Sequence, residues 1–414
     1  MKFLNKDKFE VLKEVWGYDS FRENQEEAIT AILKRDKDVL FIAKTGLGKS
    51  LVFQLPSLML PGVTVVISPL LSLMSDQVSN ADFKGINAAT YNSTIGKKEK
   101  RIILHKLENN ELDLLYIAPE SILNAELLEF FKDKVEVNFV AIDEAHCTSA
   151  YGHDFRPKYK QIAVLREFIS APFVALTATA DSKTVTDVKE ILKLGTTSKY
   201  KLEEFSQNLD RPSIFYNVFP KIGNGYKQVI SFINQHDKND TGIVYCLTKA
   251  SVDDLSKFLY RQGYKAKAYH AGVSNKDRDK VLTQWMNDEV NIIVATIAFG
   301  MGIDYPSVRY VVHLNIPTSL EGYVQEVGRA SRDGLPSKAY LLYDSKDSSL
   351  IKWMLKKSIT NPANLTLRLN KFSKMSKFAT SNECYRKQIL TYFNQKQTKD
   401  NCNSCSNCVG IKKV

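Results

Sequence analysis

No run of apolar residues in this sequence approaches the ~18 to 20 needed to cross a bilayer. The amino terminus, MKFLNKDKFEVLKEVWGY, breaks its apolar positions with charges every two or three residues. Neither a membrane-bound role nor a secretory leader is therefore expected, and the cytosol is the default compartment. Cysteine is scarce: of six, Cys147 and Cys246 stand isolated in the first two thirds, which leaves no disulfide framework there. Low-complexity tracts and short repeats are also missing, so neither a disordered chain nor a solenoid is implied. With 44% hydrophobic and 25% charged residues, the 414 positions suffice for two or three globular domains.

Acidic residues are depleted in one region. From Lys346 to the end there are 14 Lys/Arg against 3 Asp/Glu, a surplus that accounts for the whole formal net charge of +11. A basic excess confined to a tail suits a phosphate backbone; a solvated lysine-rich face is the other reading. Lys371, Lys374 and Lys377, at near-helical spacing, form a candidate DNA-facing stripe, with the same solvated alternative.

What is present is a rhythm of short apolar runs with helical stretches between them. VLFIA, VTVVIS, LDLLYIA, NFVAID and FVALTA fall between residues 37 and 180; GIVYC, KAKAYH, NIIVAT, VRYVVHLN and AYLLYD follow the segment Phe205 to Pro212. Such runs read as strands of parallel sheets covered by helices, an α/β fold class. Three domains are expected: residues 1–205, residues 206–345, and a basic helical unit over residues 346–414.

The first run leads into Ala43-Lys44-Thr45-Gly46-Leu47-Gly48-Lys49-Ser50, a phosphate-binding loop with alanine where the usual pattern has glycine. Its glycines let backbone N–H groups curl around phosphates, Lys49 reaches the β/γ-phosphates of ATP, and Ser50 ligates Mg²⁺. Downstream, Asp143-Glu144-Ala145-His146 closes another apolar strand. Asp143 would hold the magnesium through water, and Glu144 would orient or deprotonate the attacking water. Arg329 and Arg332, in QEVGRASRDG, suit the spreading charge of phosphoryl transfer when offered from another domain.

Cys384, Cys402, Cys405 and Cys408 supply four thiolates, three of them closely spaced. Four soft ligands with no open position describe structural Zn²⁺. An iron–sulfur cluster is the rival reading, although Val409-Gly410 follows where a fourth cysteine before proline is common. In HCTSAYGHDFRP, residues 146–157, Tyr151, His153 and Phe155 can stack on bases and Arg156 can reach a phosphate; packing aromatics are the alternative.

Taken together, Tyr18, Arg22 and Gln25, the phosphate loop, SPLLSLMSDQV, the DEAH box, ALTATA, ATIAFGMGID and QEVGRASRDG resemble the successive motifs of superfamily 2 helicases, in the order and wording of the RecQ family. The resemblance implies two RecA-like lobes in tandem plus a small helical zinc-binding subdomain, and a 3′-to-5′ DNA helicase acting in repair or recombination. It also implies that Tyr18, Arg22 and Gln25 contact the nucleotide base and that Thr177 and Thr179 couple the lobes. Arg332 would serve as the arginine finger beside Arg329, and the aromatic-rich loop would sense single-stranded DNA. Tyr151 stands where that family usually has tryptophan. Single-stranded and forked DNA are the expected partners of a cytoplasmic monomer, nucleoid-associated if bacterial. A translocase of DNA or RNA without efficient unwinding is the alternative, since the chain stops six residues after Cys408 and lacks the winged-helix and small helical domains found in many relatives.

Overall fold

The computed structural model describes residues 3–44, 46, 48–150, 152, 156–178, 180–297, 299, 305–395 and 401–411. The chain forms two compact units, residues 1–208 and 209–414.

In the first unit the apolar runs become β1 (Lys37–Ile42), β2 (Val63–Ile67), β4 (Leu114–Ile117), β5 (Val137–Ile142) and β6 (Phe173–Thr177), joined by β3 (Ala88–Tyr91) and β7 (Lys201–Ser206). They pair in parallel, in the order β3-β4-β2-β5-β6-β1-β7. Every residue of β2, β4, β5 and β6 is buried, because helices cover both faces and alternate side chains enter different cores. Val65 and Ile67 join one core, for instance, while Val66 joins the other. Since β5, β6 and β1 are adjacent and parallel, the segments that follow them share one carboxyl edge. Ligands of open parallel sheets bind at that edge.

The second unit holds β8 (Ile214–Pro220), β9 (Thr241–Tyr245), β10 (Ala266–Tyr269), β11 (Ile292–Ala295), β12 (Val308–His313) and β13 (Ser337–Tyr343). They are again all parallel, in the order β10-β11-β9-β12-β13-β8. Helices Ser345–Ser358, Pro362–Thr380 and Tyr385–Tyr392 follow. Phe372, Met375 and Phe378 recur at helical spacing and share one core with Ile214, Tyr216, Tyr323 and Leu341, so the basic tail packs directly on the second sheet.

This packing corrects one expectation. Lys371 is only 4% exposed and forms an ion pair with the buried Glu321, whose Oε1 also accepts the Tyr392 hydroxyl at 2.7 Å. Its neighbour Phe372 anchors the core face of the helix, which turns Lys371 toward the helix Leu320–Val327 and away from any DNA-facing stripe. Lys374 and Lys377 remain exposed. Among the described residues, no helix is long and apolar enough to cross a membrane.

Candidate nucleotide, nucleic-acid and metal sites

The loop after β1 is assembled from backbone first. Ala43 prolongs the strand, its N–H donating to the Thr177 carbonyl at 3.0 Å, so the alanine is accommodated without the freedom of glycine. Gly48 needs that freedom: its φ is +78°, and a Cβ would meet Gln25 Nε2 at 2.7 Å. The helix Lys49–Met59 starts immediately afterwards, and no side chain caps it. Its first N–H groups thus face the loop as a ready anion site.

Two of the three amino-terminal residues expected near the nucleotide meet this loop. Arg22 donates from Nη1 to the Gly46 carbonyl at 3.3 Å. Gln25 accepts the Arg22 N–H at 2.8 Å and donates to the Gly48 carbonyl at 3.2 Å. Tyr18 keeps 51% of its surface exposed. Lys44 and Ser50 lie within the loop and the first helical turn, while Thr45 and Leu47 fall outside the described residues.

At the end of β5, Asp143 and Glu144 stand opposite the loop. Lys49 Nζ is buried without a hydrogen bond, and Glu144 Oε1 lies 3.7 Å from it. Burial first, and the Glu144 charge second, push the Asp143 carboxyl up to about 7, while Lys49 pulls it down. Glu144 has a left-handed backbone (φ +47°), and its N–H is held by Asp143 Oδ1 at 2.9 Å. Strain of this kind persists only where surrounding contacts enforce it. A buried ammonium lacking a hydrogen bond, adjacent carboxylates and an uncapped helix start fit a phosphate chain with a divalent cation.

His146 adds a link that the motif-based assignment of roles did not include. Its Nδ1 lies 3.3 Å from Glu144 Oε2 and 3.0 Å from Thr177 Oγ1, and the ring is fully buried. The DEAH tetrapeptide contained the residue, but nothing in the sequence paired it with a threonine on the next strand. Farther along, Gly152 presses on this turn: a Cβ there would meet the His146 carbonyl at 2.1 Å. Arg156 donates its N–H to Cys147 O at 3.0 Å and its guanidinium to the Pro69 carbonyl, so it braces the loop against SPLLSLMSDQV. Tyr151, His153, Phe155 and Thr179 lie outside the described residues.

In the second unit Arg329 is buried beside Tyr245, whose hydroxyl donates to the Phe299 carbonyl at 2.8 Å. Arg332 is half-buried in the same turn. A further residue, Arg211, donates from Nη1 to the Gly328 and Ala330 carbonyls, each at 2.8 Å. Burial lowers its pKa to about 10, and the Arg332 charge adds to that effect. Arg211 carried no motif signal, since a lone arginine before proline reads as a surface residue. Glu326 accepts from the buried His313 at 2.8 Å, which fixes the helix Leu320–Val327 on β12.

The four tail cysteines converge, with their sulfurs all within 4.8 Å of one another. Cys384 caps the helix Tyr385–Tyr392, accepting the Lys387 N–H at 3.4 Å. Cys402 and Cys408 sulfurs are 3.8 Å apart. A tetrahedron of ~2.3 Å zinc–sulfur bonds has edges of about 3.8 Å, so the donor set fits a zinc ion. The loop carrying Cys405 is bonded to β8: the Tyr216 N–H donates to Ser404 O at 3.2 Å and the Ser406 N–H to Tyr216 O at 2.9 Å.

Comparison with known proteins gives three matches in chain order. They are the DEAD/DEAH box helicase family over residues 22–188, the helicase conserved C-terminal domain over 224–334, and the RecQ zinc-binding family over 345–409. The chain is 40% identical over 407 residues to the ATP-dependent DNA helicase RecQ of Pasteurella multocida, covering 98% of this chain and 63% of that protein. It is 36% identical to the Bacillus subtilis protein of the same name, covering 97% and 67%. It is 38% identical to a putative ATP-dependent RNA helicase, R290, of Acanthamoeba polyphaga mimivirus, covering 97% and 72%. Among solved structures, the helicase MrfA bound to DNA superposes with a TM-score of 0.68 at 18% identity, over 92% of this chain and 57% of that one. Saccharomyces cerevisiae Dbp5 bound to RNA and ADP BeF3 gives 0.65 at 16% identity, over 84% and 90%.

Proposed function

The chain belongs to the RecQ family of helicases, and on that premise we propose that it is an ATP-dependent DNA helicase moving 3′-to-5′ on single-stranded DNA in repair or recombination. The observation that carries the reading is the buried Lys49 ammonium, without a hydrogen bond and 3.7 Å from Glu144, at the start of an uncapped helix. In this reading residues 1–205 form the ATP-binding lobe, 206–345 the C-terminal lobe and 346–414 the zinc-binding subdomain.

Lys49 and the loop amides, Ala43 to Ser50, receive the phosphates, while Tyr18, Arg22 and Gln25 select the base. Glu144 takes the proton of the attacking water, and His146 keeps its carboxylate oriented. Magnesium, held by Ser50 and Asp143, neutralises phosphate charge when bound. Arg332, with Arg329, answers the charge that develops on the transferred phosphoryl group. Hydrolysis coupled to lobe closure, contacts of Tyr151, His153, Phe155 and Arg156 with unpaired bases and phosphates, and lobe coupling through Thr177 and Thr179 complete the scheme. Zinc on Cys384, Cys402, Cys405 and Cys408 stabilises the subdomain. The expected setting is the cytosol, with the protein acting as a monomer.

RNA is the second reading, favoured by the mimivirus relative's name. Steady-state ATP hydrolysis with single-stranded DNA or RNA, in wild type and Glu144→Gln, together with a forked-duplex separation assay, tests both. DNA stimulation with unwinding, lost in the variant, supports the helicase. Stimulation without unwinding points to a translocase. Hydrolysis indifferent to either polymer overturns the proposal.

A further inference from the structure

The helix Ser345–Ser358 carries a face that the core of the second unit does not use. Its inner side is accounted for: Ile351 is buried in the core with Phe372, and Ser348 is buried. The one carboxylate within the helix, Asp347, is turned inward, where it accepts from Lys221 Nζ and Asn315 Nδ2 at 2.9 Å each. The outer side presents Lys346, Leu350, Trp353 and Lys357, spaced four, three and four residues apart and therefore along one stripe. Lys352 and Lys356 flank it and are exposed as well.

Trp353 is the unusual member. An indole with 57% of its surface exposed, next to Leu350 at 42%, is apolar area that folding leaves in water. Lys357 Nζ sits 5.0 Å from the ring centroid, so a cation already lies over the indole. No residue of this helix presents a negative charge on the exposed side, since Asp347 is consumed internally.

An aromatic ring standing among lysines, with no acid on the same exposed helix face, is the combination that takes an unpaired nucleic-acid strand: the ring stacks on a base and the ammonium groups meet phosphates. A duplex hides its base faces and would offer the indole nothing. The stripe from Lys346 to Lys357 runs about 16 Å at ~1.5 Å per residue. That length accommodates a few nucleotides of an unpaired strand. We propose that the outer face of the helix Ser345–Ser358, centred on Trp353, is a binding surface for single-stranded nucleic acid, distinct from the loop at residues 146–157. The proposal rests on the helicase reading and adds to it a second contact for the same strand.

The test uses the whole chain and two probes, oligo(dT) and oligo(U), each followed by fluorescence anisotropy of a labelled strand and by intrinsic tryptophan emission. Of the three tryptophans, Trp285 is buried and Trp16 is partly buried against the core of the first unit, so Trp353 is the most exposed indole, and the Trp353→Phe difference isolates its share of the signal. The expected result is quenching on oligo(dT) addition that disappears in Trp353→Phe, a variant that keeps a ring and most of the affinity. Trp353→Ala should weaken binding roughly 5- to 100-fold, with strand-free ATP hydrolysis unchanged. Replacing Lys352, Lys356 and Lys357 by Glu should reduce the slope of log affinity against log salt by about two. Quenching by both oligomers supports an unpaired strand of either sugar; quenching by oligo(dT) alone restricts it to DNA. Oligonucleotide bound with equal affinity and equal salt slope by all variants, without Trp353 quenching, overturns this surface and leaves the helicase reading standing. Failure of the wild type to bind either oligomer overturns both.

Discussion

His146 Nδ1 lies 3.0 Å from the hydroxyl of Thr177, joining the turn after β5 to the end of β6. Because the same nitrogen is 3.3 Å from Glu144 Oε2, a change at Thr177 reaches the carboxylate through the imidazole. Thr177→Val keeps the shape and removes the hydroxyl. It should lower kcat for ATP hydrolysis by about 10- to 100-fold, the scale of a misplaced catalytic group, with KM for ATP little altered. Steady-state kinetics at saturating nucleic acid check this; an unchanged kcat means that the bridge positions nothing.

Glu144→Gln should bind ATP as well as wild type and hydrolyse it on the order of 10² to 10⁴ times more slowly. Lys49→Ala should instead weaken binding, because Lys49 Nζ is buried without a hydrogen bond at the loop. Fluorescent-nucleotide titration separates the two variants. Equal loss of binding in both would refute the division of labour.

Lys371→Met strands Glu321 in the interior with only the Tyr392 hydroxyl on its Oε1. Leaving a buried charge unpaired costs about 3–5 kcal/mol. Adding Glu321→Gln should restore a large part of that loss. Urea denaturation of the single and double variants measures the coupling, and additive losses would argue against a buried pair.

Burial pushes the Cys246 thiol up to about 12, so it stays protonated and unreactive at pH 8. Cys147 is likewise buried. Thiol titration of the native protein at pH 8 should therefore leave both unmodified, with reaction confined to the tail cysteines once metal is removed. Rapid labelling of Cys246 in folded protein would contradict its burial.

Metal removal should be felt beyond the tail. Tyr216 of β8 exchanges backbone hydrogen bonds with Ser404 and Ser406. Hydrogen exchange after chelation should accelerate at Tyr216 and Ser406 as well as around Cys402 and Cys408. Protection at Tyr216 that survives chelation would show that the sheet is indifferent to the metal loop.

Much of the fold was legible because buried parallel strands are continuous apolar runs: VTVVIS became β2 and NFVAID became β5 with little displacement. The loop after β1 was legible as a turn because its residues are contiguous, and the glycine at 48 has a local reason visible in its φ. Contacts made only by folding were hidden. Lys371, Lys374 and Lys377 look alike in sequence, and only the docking of their helix against Leu320–Val327 buries the first. Arg211 reaches the carbonyls of residues 117 and 119 positions away, a separation at which no spacing rule operates. His146 and Thr177 are 31 residues apart and meet because β5 and β6 are neighbours, an order that periodicity does not reveal.

β8 is a border strand of its sheet, and a border strand offers unpaired amides and carbonyls to any other extended chain. The Cys405 loop occupies part of that border at Tyr216. The loop of the cysteine cluster therefore also covers part of a strand edge. Displacing that loop would uncover a template for edge-to-edge association.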